Sequence, residues 1–172
     1  IHACLLIPVF FCVGIYLASK TSGRFLELVF CYYVLTLLYS FYLKRQRLLD
    51  VFTLTALYVI RIIAGIVLLN IVLSQWLIAF SVFFFFSLAL VKRYSELYQL
   101  KLLKKSSMND KMYSIQDMDT IKIMGITSGF CSIIILSLYI NSPQMHLLYA
   151  NGGWLWGSVL LMLYWITRLW ML

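Results

Sequence analysis

Apolar residues fill six long stretches of the chain, and polar residues gather at the joints between them. The stretches lie near 1–19, 25–43, 50–71, 74–92, 119–140 and 151–171. Each is close to the roughly 17–25 helical residues needed to cross about 30 Å of hydrocarbon. None alternates apolar with polar as barrel strands do, so the pattern predicts helices throughout. The expected fold class is all-α, a polytopic transmembrane helical bundle forming one domain over 1–172. Only the connection from Glu96 to about Ile115 has soluble character. Near its end, Ser114-Ile115-Gln116-Asp117 has the form of a capping box, with Asp119 in the first turn where acids favour the helix dipole. Asn141-Ser142-Pro143 ends that helix, and Gly152-Gly153 opens the last run. Its Trp154, Trp156, Trp165 and Trp170 sit toward the two ends, as interfacial aromatics do.

Composition sharpens the membrane assignment. The chain is 63% hydrophobic and 12% charged, with a mean hydropathy of +0.94, against roughly 25% charged residues in a soluble domain. The net charge of +8 is therefore read as loop asymmetry and ligand electrostatics, and nucleic acid is not an expected partner. Lys44, Arg45, Arg47, Lys92, Arg93, Lys101, Lys104, Lys105, Lys111 and Lys122 fall on one side of the alternating spans. By the positive-inside rule that side is cytoplasmic; the expected location is a bacterial inner membrane, with the site facing the cytoplasm. Cys4, Cys12, Cys31 and Cys131 lie inside apolar runs without metal-ligand spacing, and read as small buried or lipid-facing residues. The sequence opens on Ile1 with no basic region before the first apolar run, so no signal peptide is expected; the chain is expected to be part of a longer protein.

The stretch Leu90-Val91-Lys92-Arg93-Tyr94-Ser95-Glu96-Leu97 carries the densest chemistry. It ends the most apolar run, Trp76 to Val91. On a helix Lys92 and Glu96 stand at i, i+4 and Arg93 and Glu96 at i, i+3, giving one compact polar cluster. Cations here either snorkel to the interface or hold a phosphorylated ligand. A second cationic patch, Tyr39 to Asp50, contains Lys44, Arg45 and Arg47 on the same side, where fixed cations can neutralise phosphate oxygens. Arg61 lies eleven positions beyond Asp50, about 16 Å into its span, where an arginine costs on the order of 3 kcal/mol on insertion scales. Asp50, Leu57 and Arg61 share a helical stripe, so Arg61 is either in a buried structural pair or facing a ligand. Asp117 and Asp119 are candidates for capping or, alternatively, for a metal. His2 and His146 have no neighbouring nucleophile, there is no phosphate-binding glycine loop, and Asn109-Asp110 has no further carboxylate at three- or four-residue spacing.

The residues Tyr39-Ser40, Leu43-Lys44 and Leu48-Leu49-Asp50-Val51, then Tyr58-Val59-Ile60-Arg61 with Ala64-Gly65, then Ser87 through Leu97, resemble the UbiA superfamily of intramembrane prenyltransferases. Tyr139 to Pro143 and Tyr164 to Trp170 are similar to its decaprenyl-phosphate phosphoribosyltransferase branch. The resemblance implies about nine transmembrane helices around a laterally open cavity, of which six are present here, and a Mg²⁺-assisted transfer in which diphosphate leaves. It implies that Tyr39, Lys44, Arg45, Asp50, Arg61, Lys92 and Arg93 bind substrate, and that Tyr94 and Glu96 stand at the second polar motif as candidate catalytic residues. The first aspartate-rich motif is absent from the chain and is expected upstream of Ile1. Lys92 to Glu96 replaces the second motif of the aromatic prenyltransferases.

The leading expectation is transfer of 5-phosphoribose from phosphoribosyl diphosphate to a polyprenyl phosphate, with the prenyl tail in the bundle and the polar chemistry at the cytoplasmic mouth. Two rivals stand beside it. One is prenylation of an aromatic or other small acceptor from a polyprenyl diphosphate; the other is a lipid-binding or transport bundle without catalysis.

Overall fold

A computed structural model describes residues 14, 20–21, 23–102, 113–142, 145 and 152–171. The described residues form five α-helices: α1 (Gly23–Phe41), α2 (Leu49–Leu68), α3 (Gln75–Leu102), α4 (Met118–Ile140) and α5 (Leu155–Trp170), with single 3₁₀ turns at Leu43–Arg45, Ile115–Asp117 and Gly152–Trp154. They contain no strand. Four helical segments, Gly23–Phe41, Leu49–Leu68, Gln75–Leu102 and Ile115–Ile140, are long and apolar enough to cross a membrane; Leu155–Trp170 is apolar but shorter, at 16 residues. By length and composition the chain is a membrane protein. The run expected near 1–19 lies outside the described residues, Gly14 excepted.

The helix expected to end near Lys92 is longer than the apolar pattern suggests. α3 stays helical to Leu102, because Arg93, Leu97 and Leu100 recur on one face and that face is covered: Arg93 and Leu97 are buried, and Leu100 packs on the core. At 28 residues and 1.5 Å per residue, α3 is about 42 Å long and outruns about 30 Å of hydrocarbon. Glu96 to Leu102, expected as the start of the soluble connection, is thus the last part of α3. The middle of that connection, 103–112, lies outside the described residues.

Small residues let α3, α4 and α5 come together, as is usual where lipid tails offer no hydrophobic contrast. Ser87 Oγ donates to the Gly125 carbonyl at 2.8 Å, and Ser128 Oγ donates to the Phe83 carbonyl at 2.7 Å. Gly125 lies directly under the indole of Trp170, and a methyl group there would collide with Cζ2 and Cη2. At Gly129 it would come 2.8 Å from Ile166 Cγ2. Among the described residues α1 lies at the edge of the bundle, with no buried residue, and packs on α2. The joints follow turn chemistry: Asn70, with φ 51°, closes α2 in the left-handed region that asparagine tolerates. The capping box at Ser114 is present, its N–H donating to Asp117 Oδ2 at 2.8 Å, but it opens a 3₁₀ turn before α4 begins.

Candidate functional site

Asp50 stands in the first turn of α2, where the unpaired amides of a helix N-terminus favour an anion. It is fully buried. Its Oδ1 accepts from the Val51 N–H and from Tyr113 Oη, both at 2.8 Å. Its Oδ2 lies 2.6 Å from Arg93 Nε, a charge contact without the alignment of a hydrogen bond. Arg93 is itself 1% exposed. Its Nη1 donates to Glu96 Oε2 one turn along α3, the i, i+3 pairing the sequence predicts. Its Nη2 has no hydrogen-bond partner among the described residues. Tyr39 of α1 lies within electrostatic reach of Arg93, Asp50 and Glu96, and close enough to Arg93 for a side-chain hydrogen bond. Helices α1, α2 and α3 thus meet around one buried guanidinium.

Burying such a pair costs several kcal/mol of desolvation per ion, recovered only if the remaining polar atoms are satisfied. Tyr113 supplies much of that satisfaction. Its Oη donates to Asp50 while accepting the Leu48 N–H at 2.8 Å. Burial pushes its phenol well above the ordinary value, and the Asp50 charge pushes the same way, so the hydroxyl keeps its proton and remains a donor. Leu48 needs the anchor, since its φ of 62° is a strained conformation for a bulky residue. A second tie joins the same two segments: Arg47 Nη2 and Asp117 Oδ2 are 3.1 Å apart. The end of the soluble connection therefore holds the basic turn 43–48 at two points.

The other residues singled out by the sequence are placed differently. Lys44, Arg45 and Lys92 are exposed at the same end of the bundle, beside the buried cluster in sequence. Tyr94 is on another face of α3, packed at 5.9 Å against Trp170 and separate from Glu96. Arg61 does not join the cluster: its guanidinium sits between α1 and α2, bonded to Tyr32 Oη and over the rings of Tyr32 and Tyr58. It borders a groove of about 250 Å³ lined by Phe25, Leu28, Tyr32, Ile60 and Gly65. No Lys44 or Lys92 lines that groove. Sequence reasoning missed Tyr113, which lies 63 residues from Asp50 and has no periodic signal; a lone tyrosine closing a polar loop was its only trace.

The magnesium ion that the resemblance implies finds no ligand set here. Among the described residues no three of His, Cys, Asp and Glu come together, and Asp50, Glu96 and Asp117 are each paired with an arginine. These residues do not fit the ion by themselves.

No family model matches the sequence. It is 37% identical over 171 residues, 99% of this chain, to an uncharacterized protein of Sinorhizobium fredii, and 28% identical over 128 residues, 74% of this chain, to the nodulation protein NoeC of Azorhizobium caulinodans. The chain spans 33% of the length of the first and 42% of the second. Both relatives are bacterial.

Proposed function

We propose that the chain is part of a UbiA-type membrane transferase that moves 5-phosphoribose from phosphoribosyl diphosphate to a polyprenyl phosphate. In this reading the basic end of the bundle faces the cytoplasm across a bacterial inner membrane. The observation that carries it is the buried Arg93 guanidinium, fixed on two sides by Asp50 and Glu96 beside Tyr39, with an Nη2 donor that makes no well-aligned hydrogen bond among the described residues. A buried donor without a partner costs about 1–3 kcal/mol, and a phosphate oxygen removes that cost. Lys44, Arg45 and Lys92 supply mobile charge around the entrance; Arg93 supplies a fixed donor. Charge growing on a leaving diphosphate is stabilised best by such preorganised donors in a site shielded from water. Glu96 and Asp50 then orient the guanidinium, and Tyr39 and Tyr113 complete its polar surroundings. A magnesium ion, where the reaction uses one, draws its ligands from outside the described residues.

The test is an assay of the full-length protein in membranes with ribose-labelled phosphoribosyl diphosphate and a polyprenyl phosphate. Label entering the lipid fraction, and lost with Arg93→Lys, is the expected result. Prenyl label moving instead to a small aromatic acceptor reverses the reading within the superfamily. Neither transfer, from protein that still binds polyprenyl phosphate, makes the bundle a lipid carrier.

A further inference from the structure

A second pocket, of about 310 Å³, lies between α3 and α5 at the basic end, lined by Val91, Tyr94, Ser95, Tyr98, Leu169 and Trp170. At 100° per residue, these α3 positions turn away from Arg93 and Glu96. The pocket is therefore separate from the site above, and Tyr94 belongs to it. We propose that it is a binding site for one anionic phospholipid of the surrounding bilayer, phosphate diester at the tyrosines and acyl chain along Val91, Leu169 and Trp170.

Three independent features support this occupant. The first is depth. Val91 is the last apolar residue before the Lys92 charge, so the pocket straddles the boundary where headgroups lie and where tyrosine and tryptophan are at home. The second is a preformed wall. Trp170 is 8% exposed, its indole N–H donates to Ser87 Oγ at 3.2 Å, and Gly125 leaves room for the ring. Tyr94 and Tyr98 stack one turn apart, ring centroids 6.5 Å and planes 20° apart.

The third feature is charge and hydrogen-bonding capacity. Lys122 of α4, half-buried, sets its ammonium 5.9 Å from the Tyr94 ring centroid and has no carboxylate partner among the described residues. Within the same residues, the hydroxyls of Tyr94, Ser95 and Tyr98 make no hydrogen bond. A cation without a counter-ion, three unused hydroxyls and an apolar slot match a phosphate attached to a hydrocarbon chain. Basic pockets between helices at the cytoplasmic level select anionic lipids in this way. A zwitterionic headgroup would bring a second ammonium toward Lys122 and gain less.

The experiment reads thermal unfolding of the full-length protein in nanodiscs of phosphatidylcholine, with and without phosphatidylglycerol. A ligand that binds only the folded state raises the midpoint; the expected rise is roughly 1–2 °C. Lys122→Gln and the double variant Tyr94→Phe/Tyr98→Phe lose the rise, whereas Lys122→Arg and the exposed Lys44→Gln keep it. The phenylalanine variants preserve the packed rings, so a lost rise there reports lost binding rather than lost folding. A rise that survives both Lys122→Gln and the double variant overturns the proposal. So does a rise lost equally in Lys44→Gln, which would mean diffuse surface charge. So does a rise produced by polyprenyl phosphate and not by phosphatidylglycerol, which would make the pocket part of the acceptor's path. None of these readings depends on transferase activity.

Discussion

Two arginines stand on the spanning helices of this bundle and are matched in opposite ways, Arg93 buried and Arg61 exposed. Arg93 is matched by charge: Asp50 and Glu96 flank it, Tyr113 steadies Asp50, and the group is 1% exposed. Arg61 has no carboxylate partner among the described residues and is matched by aromatic surface. Its Nε donates to Tyr32 Oη at 3.0 Å, and the guanidinium carbon lies 5.1 and 5.3 Å from the Tyr32 and Tyr58 ring centroids. The difference is one of commitment. A charge-matched arginine cannot be removed without stranding its partners, whereas an arginine over rings leaves behind only neutral surface. Arg93 is thus locked to the fold and presents one fixed donor, while Arg61 is held at an open groove.

The largest test of the contrast removes each guanidinium. Arg93→Ala leaves the Asp50 carboxylate buried without its counter-charge, and the expected loss is about 3–5 kcal/mol, read as a large drop in unfolding midpoint in nanodiscs. The double variant Asp50→Leu/Arg93→Met replaces the pair with apolar groups and should recover most of that loss, while abolishing the transfer proposed above. Equal losses for Arg93→Ala and Arg61→Ala would erase the distinction between the two sites.

Next in size is Tyr113→Phe. The ring still fills its place, but Asp50 loses one donor and the Leu48 N–H loses its acceptor, for about 1–3 kcal/mol. Hydrogen exchange separates this from a general loosening. The Leu48 amide should exchange faster in the variant while amides near Ile133, in the middle of α4, do not change. Unaltered protection at Leu48 would mean that the turn holds itself.

These two sites also mark how far the sequence can be read. The helices were legible because apolar runs of membrane length leave little choice. The Arg93–Glu96 pairing was legible because it lies within one helix turn. Lys92 and Arg93 are neighbours about 100° apart, and the pattern alone did not reveal that Arg93 points inward and Lys92 outward. The stripe from Asp50 to Arg61 does not act as one face: Asp50 and Leu57 are buried, whereas Arg61 is exposed and meets Tyr32 of α1. Tyr113 was invisible for a general reason: a contact across 63 residues is set by tertiary closure, which no local period encodes. The extension of α3 past Glu96 was missed because its apolar residues thin to one face once the helix leaves hydrocarbon.

A smaller effect is expected at Arg61. Arg61→Met gives up a cation–π contact of roughly 0.5–1 kcal/mol and a hydrogen bond of similar size. It also removes a mid-span charge that costs on the order of 3 kcal/mol to insert. Since the terms oppose, unfolding in nanodiscs should stay within about 1 kcal/mol of wild type. A drop as large as that of Arg93→Ala would show that Arg61 has a charged partner in the intact protein and that the aromatic match is incidental.

The smallest effect concerns pH and isolates the charge-matched site from the other. Burial holds the Tyr113 phenol above its ordinary value, so the folded protein keeps a proton that the unfolded chain releases above about pH 10. Where the unfolded state binds fewer protons, stability falls as pH rises; Tyr113 therefore contributes fully below about pH 10 and progressively less above it. Over the first half unit the loss is under about 1 kcal/mol, and other tyrosines ionise as well, so the informative quantity is the difference between wild type and Tyr113→Phe. That gap should be constant from pH 7 to 9.5 and narrow from pH 10 upward, because the variant has no phenol to lose. Arg61→Met should show no such narrowing against wild type, since Arg61 does not touch Tyr113 or its partners. A gap for Tyr113→Phe that stays constant to pH 11 would mean that the hydroxyl is not held between Leu48 and Asp50 as a buried donor, and the ring alone would account for its place in the core.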